Sequence, residues 1–323
     1  MSSGGIQAAG EAPLALPRLG LGTMTFGDPV DSSGARGLLE QALDAGAVMI
    51  DTANVYSSGR SETILGEVLP GIRDRVVLAT KVGTPTTLED TAPLAGERIR
   101  SECEGSLRRL GTDHIDLYYL HKPDRATPFE ETLAAVAALI AEGKVRAWGV
   151  SNFAAWQIAE LRHVAEGLGM PAPAVAQQQY NLLSRHIEDE YAEFARVAGV
   201  GTVVYNPLAG GMLTGKYRGA TAPDQGRFSS LEYRGRYWNP QMLAAVDRLS
   251  ALARDRQLTL VQLALRWLLA GDIATLVLLG ASRPEQLAEN LSAASDEALD
   301  FEALEACDTV WAGLRGVAPA YNR

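Results

Sequence analysis

Five polar residues, Asp51, Lys81, His121, Ser151 and Gln177, each stand at or just past the C-terminal end of a short apolar run. They recur at intervals of 30, 40, 30 and 26 residues, about the length of one strand–helix repeat. Lys81 closes the run VVLATK, so its ammonium needs a partner if that end is buried, and Asp51, one strand back, is the natural one. Tyr56 follows Asp51 by five positions. A lysine ammonium beside a tyrosine hydroxyl stabilises phenolate and lowers its pKa from about 10, which makes Tyr56 a proton donor or acceptor. His121 adds an N–H donor at the next strand end. Together these groups suit proton delivery to an oxygen on which negative charge develops. His114, His163 and His186 lie just before a strand or on helices and loops, and read as structural or surface residues.

The elements that must position these groups are legible as alternation. RLGLGT (18–23), AVMID (47–51), VVLATK (76–81), IDLYYL (115–120), VRAWGV (145–150), AVAQQQ (174–179), GTVVYN (201–206) and TLVLLG (275–280) read as eight strands. Helical spacing fits 33–45, 61–69, 94–110, 128–142, 154–167 and 187–198. In 94–110, Ile99, Cys103, Leu107 and Leu110 share one face, and 128–142 runs from Pro128 to a closing Gly143. Such alternation implies parallel strands with right-handed crossovers. A doubly wound sheet would satisfy it too, but would spread the five polar strand ends along a line. A (β/α)8 TIM barrel gathers them at one mouth, and the barrel is preferred.

After the seventh strand the rhythm breaks. A Gly-rich start leads into a long polar, aromatic loop (217–240) expected to cover the mouth, then helices at 240–255 and 259–270. Two more helices follow residue 283. The expected organisation is a flexible tail with a small N-terminal β-hairpin, residues 1–16, and one barrel domain, 17–323.

Thirty-nine acidic against 29 basic side chains give a net charge of −10, which argues against a nucleic-acid partner. No apolar run reaches the roughly 20 residues that span a bilayer, so no membrane partner is expected. The opening MSSGGIQAAGEAP has neither a basic start nor an apolar core, so a secretory signal is not expected. Cys103 and Cys307 form no CxxC pattern, which suits two inert thiols in a reducing cytoplasm, and no metal is expected.

The strings IDTANVYSSGRSE, ATKVG and LYYLHKPD resemble the tetrad motifs of the aldo-keto reductase superfamily. The likeness continues in order through GVSNF (149–153), QQQYNLLSR (177–185), YNPLAGGMLTGKY (205–217) and GASRPEQLAENL (280–291), from about residue 18 to the end. NPLAGGMLTGKY, GRF (226–228), YRGRYW (233–238) and the terminal YNR are most similar to the aflatoxin-aldehyde and succinic-semialdehyde reductase subgroup. Loop 84–95, the segment LLSRHIEDE and the insertion RGATAPDQGRF depart from that pattern, so the substrate stays open.

The resemblance implies NADPH-dependent reduction of an aldehyde or ketone. Tyr56 would be the proton donor, Lys81 its tuning cation, Asp51 the anchor of Lys81, and His121 the group that orients the carbonyl. It also implies that Ser151, Asn152 and Gln177 hold the nicotinamide carboxamide and that Tyr205 stacks on the ring. Gln177 is chosen over its two neighbours because it stands three places before Tyr180. Asn206, Pro207, Leu208, Ala209, Gly210, Gly211 and Lys216 would approach the pyrophosphate, where glycine avoids a Cβ clash. Arg227 would meet a phosphate. Gly280 would border the cofactor, Arg283 beside Ser282 would lie near the 2′-phosphate, and Gln286, Glu289 and Asn290 would hold the adenosine end. Tyr233, Arg236 and the terminal Arg323 would join Tyr56 and His121 around the substrate and clamp a carboxylate. Of the four lysines, Lys81 and Lys216 thus have roles, while Lys122 and Lys144 need none. The expected partner is a small carbonyl compound, and the chain a monomer or homodimer. Reductases of a sugar or biosynthetic ketone, and cofactor-bound regulatory subunits resembling potassium-channel β subunits, share the same tetrad.

Overall fold

Side chains alternate across a strand, so residues two apart face the same way. In five of the eight barrel strands the inward set is apolar low in the barrel and polar at the top. Met49 leads to Asp51, Ala79 to Lys81, Tyr119 to His121, Ala147 to Ser151 and Val175 to Gln177. The computed structural model describes residues 5–6, 14–87, 89–217, 226–294 and 297–318. Residues Gly5–Ile6 (β1) and Leu14–Ala15 (β2) form a small antiparallel pair, as expected for the hairpin.

Eight parallel strands then close into a (β/α)8 barrel: β3 (Leu19–Gly22), β4 (Met49–Asp51), β5 (Val77–Val82), β6 (Ile115–Leu120), β7 (Val145–Ser151), β8 (Val175–Gln179), β9 (Gly201–Tyr205) and β10 (Leu276–Gly280). Closure is made by β10, which pairs with β9 on one side and β3 on the other. Leu16, Met49, Ala79, Leu117, Tyr119, Val175, Val203 and Leu276 fill the interior, so the barrel is a packed core rather than a pore. Gly149 makes that filling possible, since a Cβ there would lie 2.7 Å from the Val175 carbonyl oxygen and 3.1 Å from the Tyr119 ring.

Helices α1 (Ser32–Asp44), α2 (Arg60–Val68), α3 (Gly96–Leu110), α4 (Phe129–Ala141), α5 (Ala155–Gly167) and α6 (Tyr191–Ala198) follow successive strands. The stretch expected as one helix over 187–198 is a turn at His186–Asp189 followed by α6. A larger correction concerns 217–240, expected as a loop. It contains a turn at Arg227–Ser229 and a short helix, α7 (Leu231–Tyr237). LEYRGRY carries no apolar stripe and a central glycine, so periodicity conceals it. Its support comes from neighbours: the rings of Tyr217, Phe228 and Trp238 pack edge-on at 4.9 to 5.7 Å, with Phe228 fully buried. Helices α8 (Pro240–Asp255), α9 (Leu260–Ala270), α10 (Pro284–Ala293) and α11 (Phe301–Ala312) complete the chain. Among the described residues, no helix is long and apolar enough to cross a membrane.

Candidate active site

Lys81 is fully buried and Asp51 nearly so, and the two form an ion pair. The Lys81 ammonium also donates to the Thr52 carbonyl at 2.8 Å and to the Tyr56 hydroxyl at 3.2 Å. All three donor directions of the ammonium are therefore used, which fixes Lys81 beneath the tyrosine. Burial alone would push the ammonium's pKa down. Asp51 and Tyr56 more than reverse this, so Lys81 stays charged.

Tyr56 opens a turn, Tyr56–Gly59, in which Ser57 and Ser58 adopt the left-handed conformation. Such strain persists only where surroundings impose it. Here the start of α2 imposes it. The Ser61 hydroxyl lies 3.0 Å from that of Thr23 and 2.9 Å from that of Thr52, and donates to the Thr23 carbonyl. Beside it, buried Glu62 accepts from Thr80 at 2.5 Å and from Arg109 at 2.7 Å. Thr52 and Thr80 flank Asp51 and Lys81, so this buried polar network ties the tyrosine turn to both strands.

The sequence led us to expect a net lowering of the Tyr56 pKa. Instead, burial raises it above the ordinary tyrosine value, and the opposing pull of Lys81 offsets only part of the rise. Tyr56 is consequently a neutral phenol at physiological pH, the form that donates a proton. His121 stands edge-on to Tyr56, with ring centres 5.9 Å apart. Burial, with Lys81 and Lys122 behind it, holds the His121 pKa well below its ordinary value, so the ring is neutral. Lys122 thus bears on the site, whereas Lys144 pairs with Glu104 and Glu142.

The other strand-end residues converge as well. Gln177 donates to the second Asp51 oxygen at 2.8 Å, across 126 residues of sequence. Asn152 donates to the Ser151 hydroxyl at 3.0 Å and to the His121 carbonyl at 3.1 Å, and accepts from the Tyr205 hydroxyl at 2.7 Å. Gln178, on the opposite face of the strand, donates to the Phe153 carbonyl at 2.7 Å, and Gln179 donates to the Tyr237 hydroxyl at 2.6 Å. Among the three glutamines, Gln177 is the one bonded to Asp51 in the mouth.

Beyond Tyr205 the chain curls into the segment Asn206–Gly211, where Asn206, Ala209, Gly210 and Gly211 all have positive φ. The Asn206 side chain accepts from Gly210 N at 2.6 Å and holds the curl. Pro207 and Leu208 lie within it, and Lys216 just past it rests its ammonium over the Tyr217 ring. Tyr233 packs so closely on Gly210 that a Cβ there would come within 2.8 Å of its ring. The guanidinium groups of Arg227 and Arg236 lie over that same ring, at 5.5 and 5.4 Å. Arg227 also donates to the Tyr233 hydroxyl at 2.9 Å.

A third group forms around β10. Gly280 ends the strand, and its carbonyl accepts from buried Asn290 at 3.3 Å. Gln286 accepts from both the amide and the hydroxyl of Ser282, while Arg283 and Glu289 are exposed on or beside α10. The Thr25 hydroxyl joins this group to the mouth by donating to the Ala281 carbonyl at 2.7 Å. Arg323 lies outside the described residues. Residues that sequence reasoning missed are Thr23, Thr52, Ser61 and Glu62 beneath the tetrad, and Tyr237. Thr52, Ser61 and Glu62 lie within IDTANVYSSGRSE and Tyr237 within YRGRYW, while Thr23 closes the strand string RLGLGT, but no spacing marked any of them.

Three clusters thus share one mouth: a buried tyrosine with its cation, a curled glycine loop flanked by cations, and a helix start with an arginine. Amide and hydroxyl donors above the tetrad, with Lys216, Arg227 and Arg283 around them, form a donor set that fits an anionic dinucleotide. A family profile described as Aldo/keto reductase family matches residues 18–312. The chain is 35% identical to Aflatoxin B1 aldehyde reductase member 2 of Rattus norvegicus, covering 98% of this chain and 90% of the rat protein. It is 36% identical to the Homo sapiens protein of that name, over 94% and 89% of the two chains. It is also 35% identical to a Probable voltage-gated potassium channel subunit beta of Oryza sativa subsp. japonica, over 88% and 89%.

Proposed function

Given that this chain belongs to the aldo/keto reductase family, we propose that it reduces aldehydes, and some ketones, to alcohols with NADPH. The observation that carries this reading is the hydrogen-bonded chain Asp51–Lys81–Tyr56 beside a neutral His121. When bound, NADPH supplies the hydride that adds to the carbonyl carbon. Tyr56 gives its phenolic proton to the oxygen, where negative charge develops as that bond forms. Lys81, kept charged by Asp51, stabilises the phenolate left behind. His121 presents an N–H to the same oxygen, and a neutral ring suits this because it polarises without first protonating. Ser151, Asn152, Gln177 and Tyr205 would hold the nicotinamide end. The 206–211 loop with Lys216 and Arg227 would hold the pyrophosphate, and Gly280 to Asn290 the adenosine end.

Oxidation of NADPH with para-nitrobenzaldehyde tests this directly. Arg283 beside the start of α10 favours a 2′-phosphate, so kcat/KM with NADPH should exceed that with NADH by about tenfold or more. A ratio near unity or below refutes the preference. The family includes potassium-channel subunits, and the rice relative favours a second reading, a cofactor-bound regulatory subunit. NADPH binding with no turnover of any aldehyde in a panel would select that reading.

For the substrate we take a short aldehyde with a carboxylate, such as succinic semialdehyde. Arg236 beside Tyr233 supplies a guanidinium suited to a bidentate carboxylate contact. Arg236→Ala, or removal of Arg323, should raise KM for succinic semialdehyde about tenfold while barely changing KM for an uncharged aromatic aldehyde. Equal effects on both substrates would refute the clamp. The site of action is taken as the cytoplasm. Both cysteines are buried and unpaired, and burial pushes their thiols up to about 12, which leaves them unreactive there.

A further inference from the structure

The hydroxyl of Tyr237, at the end of α7, is a junction between the insertion and two strand ends. Gln179 donates to it at 2.6 Å, Asn206 at 2.9 Å and Asn181 at 3.2 Å. The ring is fully buried. Gln179 closes β8, Asn181 follows it, and Asn206 follows β9. Asn206 is the pivot. Its φ of 61° is left-handed, its side-chain oxygen accepts from Gly210 N at 2.6 Å, and its carbonyl accepts from Asn181 at 2.9 Å.

Both ends of the Asn206 side-chain amide are therefore engaged. The oxygen holds the curl of the 206–211 loop, and the nitrogen is tied to Tyr237. An amide held at one atom can still turn about its last torsion and release its other contact, whereas one held at both is locked. Without the hydroxyl, buried amide donors from three residues would lose a partner, and the cheapest relief is rotation of the one that borders the loop. We propose that Tyr237 is a positioning residue that locks the Asn206 amide and so keeps the 206–211 loop in the shape that receives the cofactor. This rests on the NADPH reading above.

Tyr237→Phe keeps the ring and removes only the hydroxyl. NADPH binding, followed by quenching of tryptophan fluorescence, should weaken about tenfold, the usual scale for a lost buried hydrogen bond. At saturating NADPH, kcat should stay within about twofold of wild type, because Tyr56 and Lys81 are untouched. Asn206→Gly keeps the left-handed backbone and removes the amide, so it should weaken NADPH binding by itself. The double variant should then bind within about twofold of Asn206→Gly, because both changes break one linkage.

An NADPH Kd for Tyr237→Phe within about twofold of wild type would overturn the proposal. Losses that multiply in the double variant would also overturn it. Unfolding of cofactor-free Tyr237→Phe would do so too, by marking the hydroxyl as a core fastening. Failure of the wild-type protein to bind NADPH would remove the cofactor reading first, and this proposal with it.

Discussion

Tyr56→Phe is expected to lower kcat for aldehyde reduction by about 10³-fold while leaving NADPH affinity close to wild type, since general acid catalysis contributes roughly 10² to 10⁴. Phenylalanine keeps the ring against His121 and loses only the hydroxyl that Lys81 contacts. Single-turnover rates with saturating NADPH measure the step directly. A decrease smaller than about tenfold would mean that another group delivers the proton.

The pH dependence follows from the same residue. Burial sets the Tyr56 pKa above the ordinary tyrosine value, so the donor form persists through neutral and mildly alkaline solution. Reduction should be flat in pH over that range and fall only as pH rises through this elevated pKa. Alcohol oxidation, which needs the phenolate, should climb over the same limb. Reduction that already falls between neutrality and the ordinary tyrosine range would show that Tyr56 titrates lower than its burial dictates.

Lys81→Met is the other large expected effect, and it falls on stability as well as turnover. The substitution leaves Asp51 buried, with Gln177 as its remaining side-chain partner among the hydrogen bonds described above. Breaking a buried pair from one side costs about 3–5 kcal/mol, because the charge left behind has no compensation. Urea unfolding at neutral pH should show that loss. Asp51→Asn combined with Lys81→Met removes both charges and should recover much of it.

The sign with pH is specific. In Lys81→Met, burial of Asp51 acts without the cation that opposed it, so its folded-state pKa lies above that of the unfolded chain. The variant's stability is then greatest below the unfolded carboxylate pKa. It declines as pH rises through the raised folded value. The gap from wild type should widen from acid to neutral pH. A gap of less than about 1 kcal/mol at neutral pH would mean that water reaches Asp51.

Much of this was legible in residues close together in sequence. Asp51 and Tyr56 lie on one strand–loop unit, and the strands end in polar residues at regular intervals, so the barrel and its mouth could be read without coordinates. The α7 helix could not be, because aromatic rings from Tyr217 and Trp238 support a segment whose own pattern is not helical. Tyr237 was invisible as a junction for the same reason. Its amide partners belong to the ends of β8 and β9, and only the folded insertion brings it to them.

The sequence by itself determined the set of chemical groups and the strand end on which each sits. Alternation along a strand and the length of a strand–helix repeat are local properties. Tertiary structure alone decided which groups meet and in what ionisation state. Barrel closure carries Gln177 to Asp51 and sets Ala281 against Thr25, contacts that no local pattern encodes. Burial, which depends on everything packed around a group, set the direction of the Tyr56 pKa opposite to the one expected from Lys81 alone.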